Sequence, residues 1–150
     1  MRTVRDESGT VYLLVKESGD ACKVRDPETG EESYRDRDAL EPAAGESPLA
    51  TAARAVPEPA RRVLTATPDE RALGLLVELR ERGPHSVRHL LDATDLCESD
   101  LLGVLTEFRA AGLVEEADVM GERGYAATDR AEEGLALLTG EAANGKNRRE

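Results

Sequence analysis

Between residues 67 and 140 the sequence changes its hydrophobic period twice, and each change is fenced by residues suited to starting or stopping an element. Thr67 caps and Pro68 opens a helix with Leu73, Leu76, Val77 and Leu79 on its apolar face, and Gly83-Pro84 ends it. Ser86 caps a second helix, Val87 to about Ala93, that turns Val87, Leu90 and Leu91 inward. Thr94-Asp95-Leu96-Cys97 makes a tight connection to a third helix, about Glu98 to Ala111. There Leu101, Leu102, Leu105 and Phe108 recur at helical spacing, and Gly112 closes the element. The period then falls to two. Leu113–Val119 predicts a strand, Gly121-Glu122-Arg123-Gly124 a turn, and Tyr125–Thr128 the return strand. Helical spacing resumes at Asp129, with Leu135 and Leu138 facing in.

Residues 1–46 read differently. Val11, Leu13 and Val15 alternate with Tyr12, Leu14 and Lys16, and turn signals stand at Glu7-Ser8-Gly9, Ser18-Gly19-Asp20 and Asp26–Gly30. They predict a meander of three or four strands near 2–5, 10–16, 21–26 and 31–35. Such a sheet is too small to bury much core alone, so it is expected to lean on helices or on a second subunit. Residues 47–67 read as linker helices: Ser47 caps and Pro48 opens an Ala-rich helix, Pro57 and Pro59 break it, and a second short helix follows to about Ala66. This is the one basic segment before the tail, with Arg54, Arg61 and Arg62 against Glu58. Residues 141–150, rich in Asn, Gly, Lys and Arg, are expected to be a disordered tail. The fold class that follows is α+β, a small N-terminal antiparallel β-meander ahead of a helical domain that carries a hairpin.

Composition narrows the function classes. The 150 residues include 31 Asp plus Glu against 20 Lys plus Arg, a formal net charge of −11, and only 3% are aromatic. Lysine occurs only at Lys16, Lys23 and Lys146, and arginine supplies the remaining cations. Dense carboxylate, scarce lysine and small apolar residues suit a cytoplasm at molar salt, where the Debye length is about 3 Å and like-charge repulsion is screened. No apolar run approaches the roughly 18–20 residues of a transmembrane helix, and Met1-Arg2-Thr3-Val4-Arg5-Asp6 lacks the apolar core of a signal peptide. A cytoplasmic location and no membrane partner are the expectation. Cys22 and Cys97 are too few and too far apart for a disulfide framework or a four-cysteine zinc site.

Three stretches carry a resemblance. Gly83-Pro84-His85-Ser86-Val87-Arg88-His89-Leu90-Leu91 is similar to the entry into the first helix of a winged helix-turn-helix motif. Phe108-Arg109-Ala110-Ala111-Gly112-Leu113-Val114-Glu115 is similar to the exit of its recognition helix. Gly121–Thr128 is similar to the wing and its return strand. Over residues 68–140 the chain therefore resembles a winged helix-turn-helix domain, and as a whole it resembles winged-helix proteins of haloarchaea of the transcription-regulator type. The chain departs from the family in two ways, in the acidic charge of this domain and in the stretch after the wing: where that family often has Thr-x-x-Gly, Ala131 stands at the glycine position and the glycine comes at Gly134.

The resemblance implies a regulator that reads duplex DNA, as a dimer, with helix 98–111 in the major groove and wing 119–125 beside it. Ser99 and Thr106 would meet base edges or phosphates, and Gly103 would allow close approach. Arg88 would hold the backbone, and Arg123 at the wing tip would reach a flanking phosphate or the minor groove. Against this stands charge: residues 69–140 hold seven arginines and sixteen carboxylates, a net of −9, and the helix exposes Glu98, Asp100 and Glu107. Phosphate neutralisation normally carries much of DNA affinity, although in molar salt that contribution shrinks. The alternative is a winged-helix adaptor that binds a protein through its acidic face or through the β-meander. A homodimer is expected in either case, because the meander would otherwise leave an open edge and the Ala-rich helices allow close packing.

Other chemistry has little support. His85, His89 and Cys97 could be imagined as a metal or thiol sensor, and Leu96–Leu101 is distantly similar to the Cys-x-Cys segment of ArsR-type repressors, with one thiol in place of two. A partly buried Cys97 and surface histidines are the favoured reading, with no metal and no cofactor. There is no phosphate-binding Gly-rich loop, no Gly-x-Ser-x-Gly and no His-Glu-x-x-His, so no catalytic residues are assigned and an enzyme is not expected.

Overall fold

The computed structural model describes residues 1–141 and divides the chain into two compact units, one covering Met1–Pro57 and the other beginning at Glu58. The tail expected at 141–150 lies, from residue 142, outside the described residues.

The first unit is an antiparallel sheet of five strands, one more than the turn signals suggest: β1 (Arg2–Asp6), β2 (Val11–Ser18), β3 (Ala21–Arg25), β4 (Glu32–Asp36) and β5 (Leu40–Pro42). They lie side by side in the order β4-β3-β2-β1-β5, so β5 closes back on the far side of β1 and the edges are β4 and β5. Pairing of Val4 with Tyr12 and of Leu14 with Val24 sets these four on one face, where they form an apolar cluster with Cys22. Thr3 and Leu13 pair on the opposite face. Helix α1 (Pro48–Ala52), capped by the Ser47 hydroxyl accepting from the Ala50 amide, lies against β1 and β2. Leu13, Thr3 and Thr51 are all buried. Apolar material on both faces breaks the expected alternation. Tyr12, Leu13 and Leu14 are consecutive buried residues, while Val15 sits at a bulge between Leu14 and Lys16 and is exposed.

The second unit contains α2 (Glu58–Ala66), α3 (Glu70–Arg82), α4 (Val87–Ala93), α5 (Glu98–Ala110), the hairpin β7 (Val114–Val119) and β8 (Glu122–Ala127), and α6 (Asp129–Leu138). A two-residue strand β6 (His85–Ser86) joins the outer side of β8, giving a three-stranded sheet in the order β6-β8-β7. Helix, helix, turn, helix and hairpin in this order match a winged helix-turn-helix arrangement, so the α+β reading holds. One helix start differs from expectation. Asp69, not Thr67, caps α3, its carboxylate accepting from the Ala72 amide at 2.8 Å, and Thr67 instead donates to the Val63 carbonyl at the end of α2. Asp accepts the same backbone proton and adds a negative charge at the helix N-terminus, which favours the later start.

Leucine supplies more than half of the core. Leu101, Leu105 and Phe108 of α5 meet Leu75, Leu76 and Leu79 of α3, Leu90 of α4, and Leu113, Val114, Tyr125 and Leu135 beyond it. Leu73, Val77 and Leu102 are only half-buried, and Leu138 is exposed, where an inward position was expected. The α3 and α5 faces are thus each rotated slightly from the stripe that periodicity alone suggests. Arg80 bolts α3 to α6 from within this unit. Its side chain is 8% exposed, forks onto both Glu132 oxygens at 2.8 and 3.1 Å, and reaches the Glu141 carboxylate at 2.7 Å. Glu132 first and Glu141 second raise its pKa beyond the ordinary arginine value. Arg80→Ala is expected to lower stability by about 2 kcal/mol, less than for a fully buried pair because Glu132 keeps access to water. Arg80→Lys should recover only part of this, since an ammonium cannot grip both oxygens in a fork. Urea unfolding of the three proteins checks both statements.

Candidate nucleic-acid interface

Helix α5 presents two faces with different jobs. Leu101, Leu105 and Phe108 point into the core, whereas Ser99, Gly103 and Thr106, spaced i, i+4 and i+7, fall on one exposed stripe. A Cβ placed on Gly103 would meet nothing within 4 Å, so the middle of this stripe is open. The hydroxyls at its two ends are partly engaged. Thr106 donates to the Leu102 carbonyl at 2.7 Å, and the Ser99 oxygen lies 3.4 Å from the Cys97 sulfur. Each keeps an oxygen free to accept. Glu98, Asp100 and Glu107 are exposed on the same helix, which keeps its surface acidic.

The wing stands differently from its expected form. The turn is the pair Met120-Gly121, both with positive φ (54° and 83°), as a two-residue hairpin of the primed type requires. It is tightened by the Asp118 carboxylate accepting from the Gly121 amide at 2.8 Å. Glu122 therefore already pairs with Val119, and Arg123, expected at the tip, lies inside β8 opposite Asp118. From there the Arg123 guanidinium bends along the sheet. It donates to the Tyr125 hydroxyl at 2.8 Å and to Glu116 at 3.3 Å, with its centre 5.6 Å from the Tyr125 ring centroid. Gly124, read as part of the turn, has another reason to be glycine. A Cβ there would come within 2.5 Å of the His85 carbonyl, across the β6–β8 pairing.

Arg88, on the first turn of α4, is 79% exposed and lies 3.6 Å from Glu122 of β8. Arg109 at the end of α5 shares Glu116 with Arg123, at 2.9 Å. Of the residues expected to form the site, Ser99, Gly103 and Thr106 come together on one stripe, and Arg88 is tied to the wing through Glu122. Arg123 is drawn away from the tip. The missed residues are Met120, Arg109, Glu116 and Glu122. Glu116 lies on β7 and Glu122 on β8, and only the true register reveals that they meet arginines.

His85 and His89 stack with ring centroids 4.4 Å apart. Desolvation first, then the charge of His89, hold the His85 pKa below its ordinary value, with Glu78 acting the other way. His85 thus gives stability above the ordinary histidine pKa that is lost as pH falls through its lowered one. Cys97, expected to be partly buried, is exposed at the head of α5. Among the described residues no three or more His, Cys, Asp or Glu side chains are grouped to hold a metal ion, and no helix is long and apolar enough to cross a membrane.

An ArsR-like transcriptional regulator from Rhodococcus sp. RHA1 is similar in structure, with a TM-score of 0.45 and 25% sequence identity over 61% of this chain and 85% of that one. No curated protein matches the chain. A family model does match, over residues 1–139, and the chain belongs to the family it describes, a family of unknown function (DUF7346).

Proposed function

We propose that this protein is a DNA-binding transcriptional regulator of a halophilic archaeon, which reads duplex DNA as a homodimer with α5 in the major groove and the hairpin beside it. The observation that carries the reading is the exposed stripe Ser99, Gly103 and Thr106 on a helix whose opposite face is locked into the core. A rigid helix offering small polar residues and an open glycine can approach base edges closely. Arg88 and Arg123 supply backbone contacts by exchanging Glu122 and Glu116 for phosphate, an exchange between charged partners that costs little in exposed positions. In molar salt an acidic protein of this kind forgoes most of the counterion-release contribution and depends on fit, hydrogen bonds and apolar contact.

The test is recovery of genomic DNA fragments by the purified protein in molar KCl, with Arg88→Ala/Arg123→Ala and Ser99→Ala/Thr106→Ala variants alongside. A few discrete sites are expected with the wild type. The arginine variant should weaken all sites about equally, and the hydroxyl variant should blur the discrimination between them. One observation favours a second reading, an adaptor that meets a basic protein. Arg88, Arg109 and Arg123 each already have a carboxylate partner, so the face around α5 presents acid without a positive stripe. Absence of any enriched fragment from a folded wild-type protein would decide for the adaptor.

A further inference from the structure

The first position of the wing turn is occupied by a residue poorly suited to it. Met120 holds φ at +54°, in the left-handed region that Asn or Gly takes readily, and an ordinary side chain there costs about 1 kcal/mol. Its side chain recovers none of that by packing, because Met120 is 97% exposed, more than any other large hydrophobic residue among those described. An apolar residue held out in water, on a strained backbone, at the tip of a hairpin serves something other than this fold. The surroundings say what. Asp118 is engaged by the turn amide, and Arg109 stays on Glu116 when Arg123 leaves it, so at the turn itself the protruding group is the thioether. Contact with phosphate weakens as salt rises, but burial of apolar surface strengthens in concentrated salts that are excluded from protein surfaces. Methionine is unbranched and adaptable, and it is among the side chains able to wedge between base steps from the minor groove.

We infer that Met120 is the apolar wedge of the wing, entering the minor groove of the duplex next to the major groove that α5 occupies. The inference rests on the DNA-reading function proposed above and adds to it the chemistry of the wing contact.

The experiment compares wild type, Met120→Asn and Met120→Leu. The probe is a pool of short fluorescent duplexes with randomised cores, in KCl from about 0.5 to 3 M, the range over which charge is screened to a few Å. Met120→Asn suits the turn and should unfold at higher urea, so weaker binding cannot be a folding defect. It is expected to lose about tenfold in affinity, as burial of part of a methionine would give, while Met120→Leu stays within about twofold. The ratio of wild-type to Met120→Asn affinity should widen with salt, and 2-aminopurine placed in the recovered site should brighten on unstacking only with wild type and Met120→Leu. Equal binding by Met120→Asn, or a ratio that does not rise with salt, overturns the wedge and leaves the DNA reading standing. Failure of the wild type to bind any duplex overturns both together and points to a protein partner.

Discussion

Phe108→Ala is expected to lower the unfolding free energy of the unit beginning at Glu58 by about 3–5 kcal/mol, the range for removing a buried aromatic ring. Phe108 is the single phenylalanine of the chain and is fully buried. It lies on the inner face of α5, one residue before Arg109 and two turns beyond Leu101, in a core otherwise made of leucine, valine and alanine with one other ring, that of Tyr125. Loss of a ring leaves a cavity that the surroundings fill only if they can move. Here they are held from several sides: by α3 and α4, by the Leu113 amide bonded to the Phe108 carbonyl at 2.8 Å, and by the strand that follows. Collapse should therefore be slight and the cost near the top of the range. Phe108→Leu, which keeps most of the volume, should cost about 1 kcal/mol. Urea titrations followed by far-ultraviolet circular dichroism in molar KCl measure both. The functional consequence is separable, because Phe108 is on the face of α5 opposite Ser99, Gly103 and Thr106. In the temperature range where Phe108→Ala is still folded, duplex binding should fall through loss of α5 placement, without any change in its salt dependence.

The helices were legible because their ends are chemically marked. Ser47 and Ser86 each cap a helix with the side-chain oxygen, and Gly112, at φ +75°, ends α5. These are local decisions, made within four residues, and sequence carries them directly. What was not legible depends on partners far along the chain. β6 is two residues with no strand pattern of its own, and it exists only because His85 and Ser86 find Tyr125 and Gly124. That same pairing explains the misread wing. Two glycines, Gly121 and Gly124, suggested a four-residue turn, but only Gly121 serves the turn while Gly124 makes room for the β6 backbone. A shift of this size moved Arg123 from the tip into the strand and brought Met120 to the front. In the candidate site, the Ser99–Gly103–Thr106 stripe followed from helical spacing. The ion pairs of Glu116 and Glu122 did not, since their partners come from α5, α4 and the facing strand. The triple burial of Tyr12, Leu13 and Leu14 was hidden for a similar reason. Alternation presumes one wet face, and α1 covers that face.

Gly134 marks the place where long-range packing most exceeds what local propensity allows. It lies in the middle of α6, where glycine costs about 1 kcal/mol relative to alanine, so a helix built for itself would not keep it. The reason is α2. A Cβ on Gly134 would fall 2.4 Å from the Pro59 carbonyl oxygen and 2.7 Å from a Val63 methyl, distances that no side chain occupies without moving its neighbour. The nearer neighbour is backbone, so relief requires α2 and α6 to separate along a contact that also buries Ala60, Val63 and Ala131. Gly134→Val is expected to cost about 3 kcal/mol or more, at the upper end for overpacking, with Gly134→Ala somewhat less. Gly103→Ala supplies the contrast, since the added methyl meets nothing within 4 Å. That variant should gain about 0.5–1 kcal/mol from helix propensity alone. Opposite signs for two glycine-to-alanine changes in neighbouring helices of one unit would show close packing at α2–α6 to be the cause. The same sign for both would mean that α2 is free to move off α6, and that the unit does not depend on this contact for its stability.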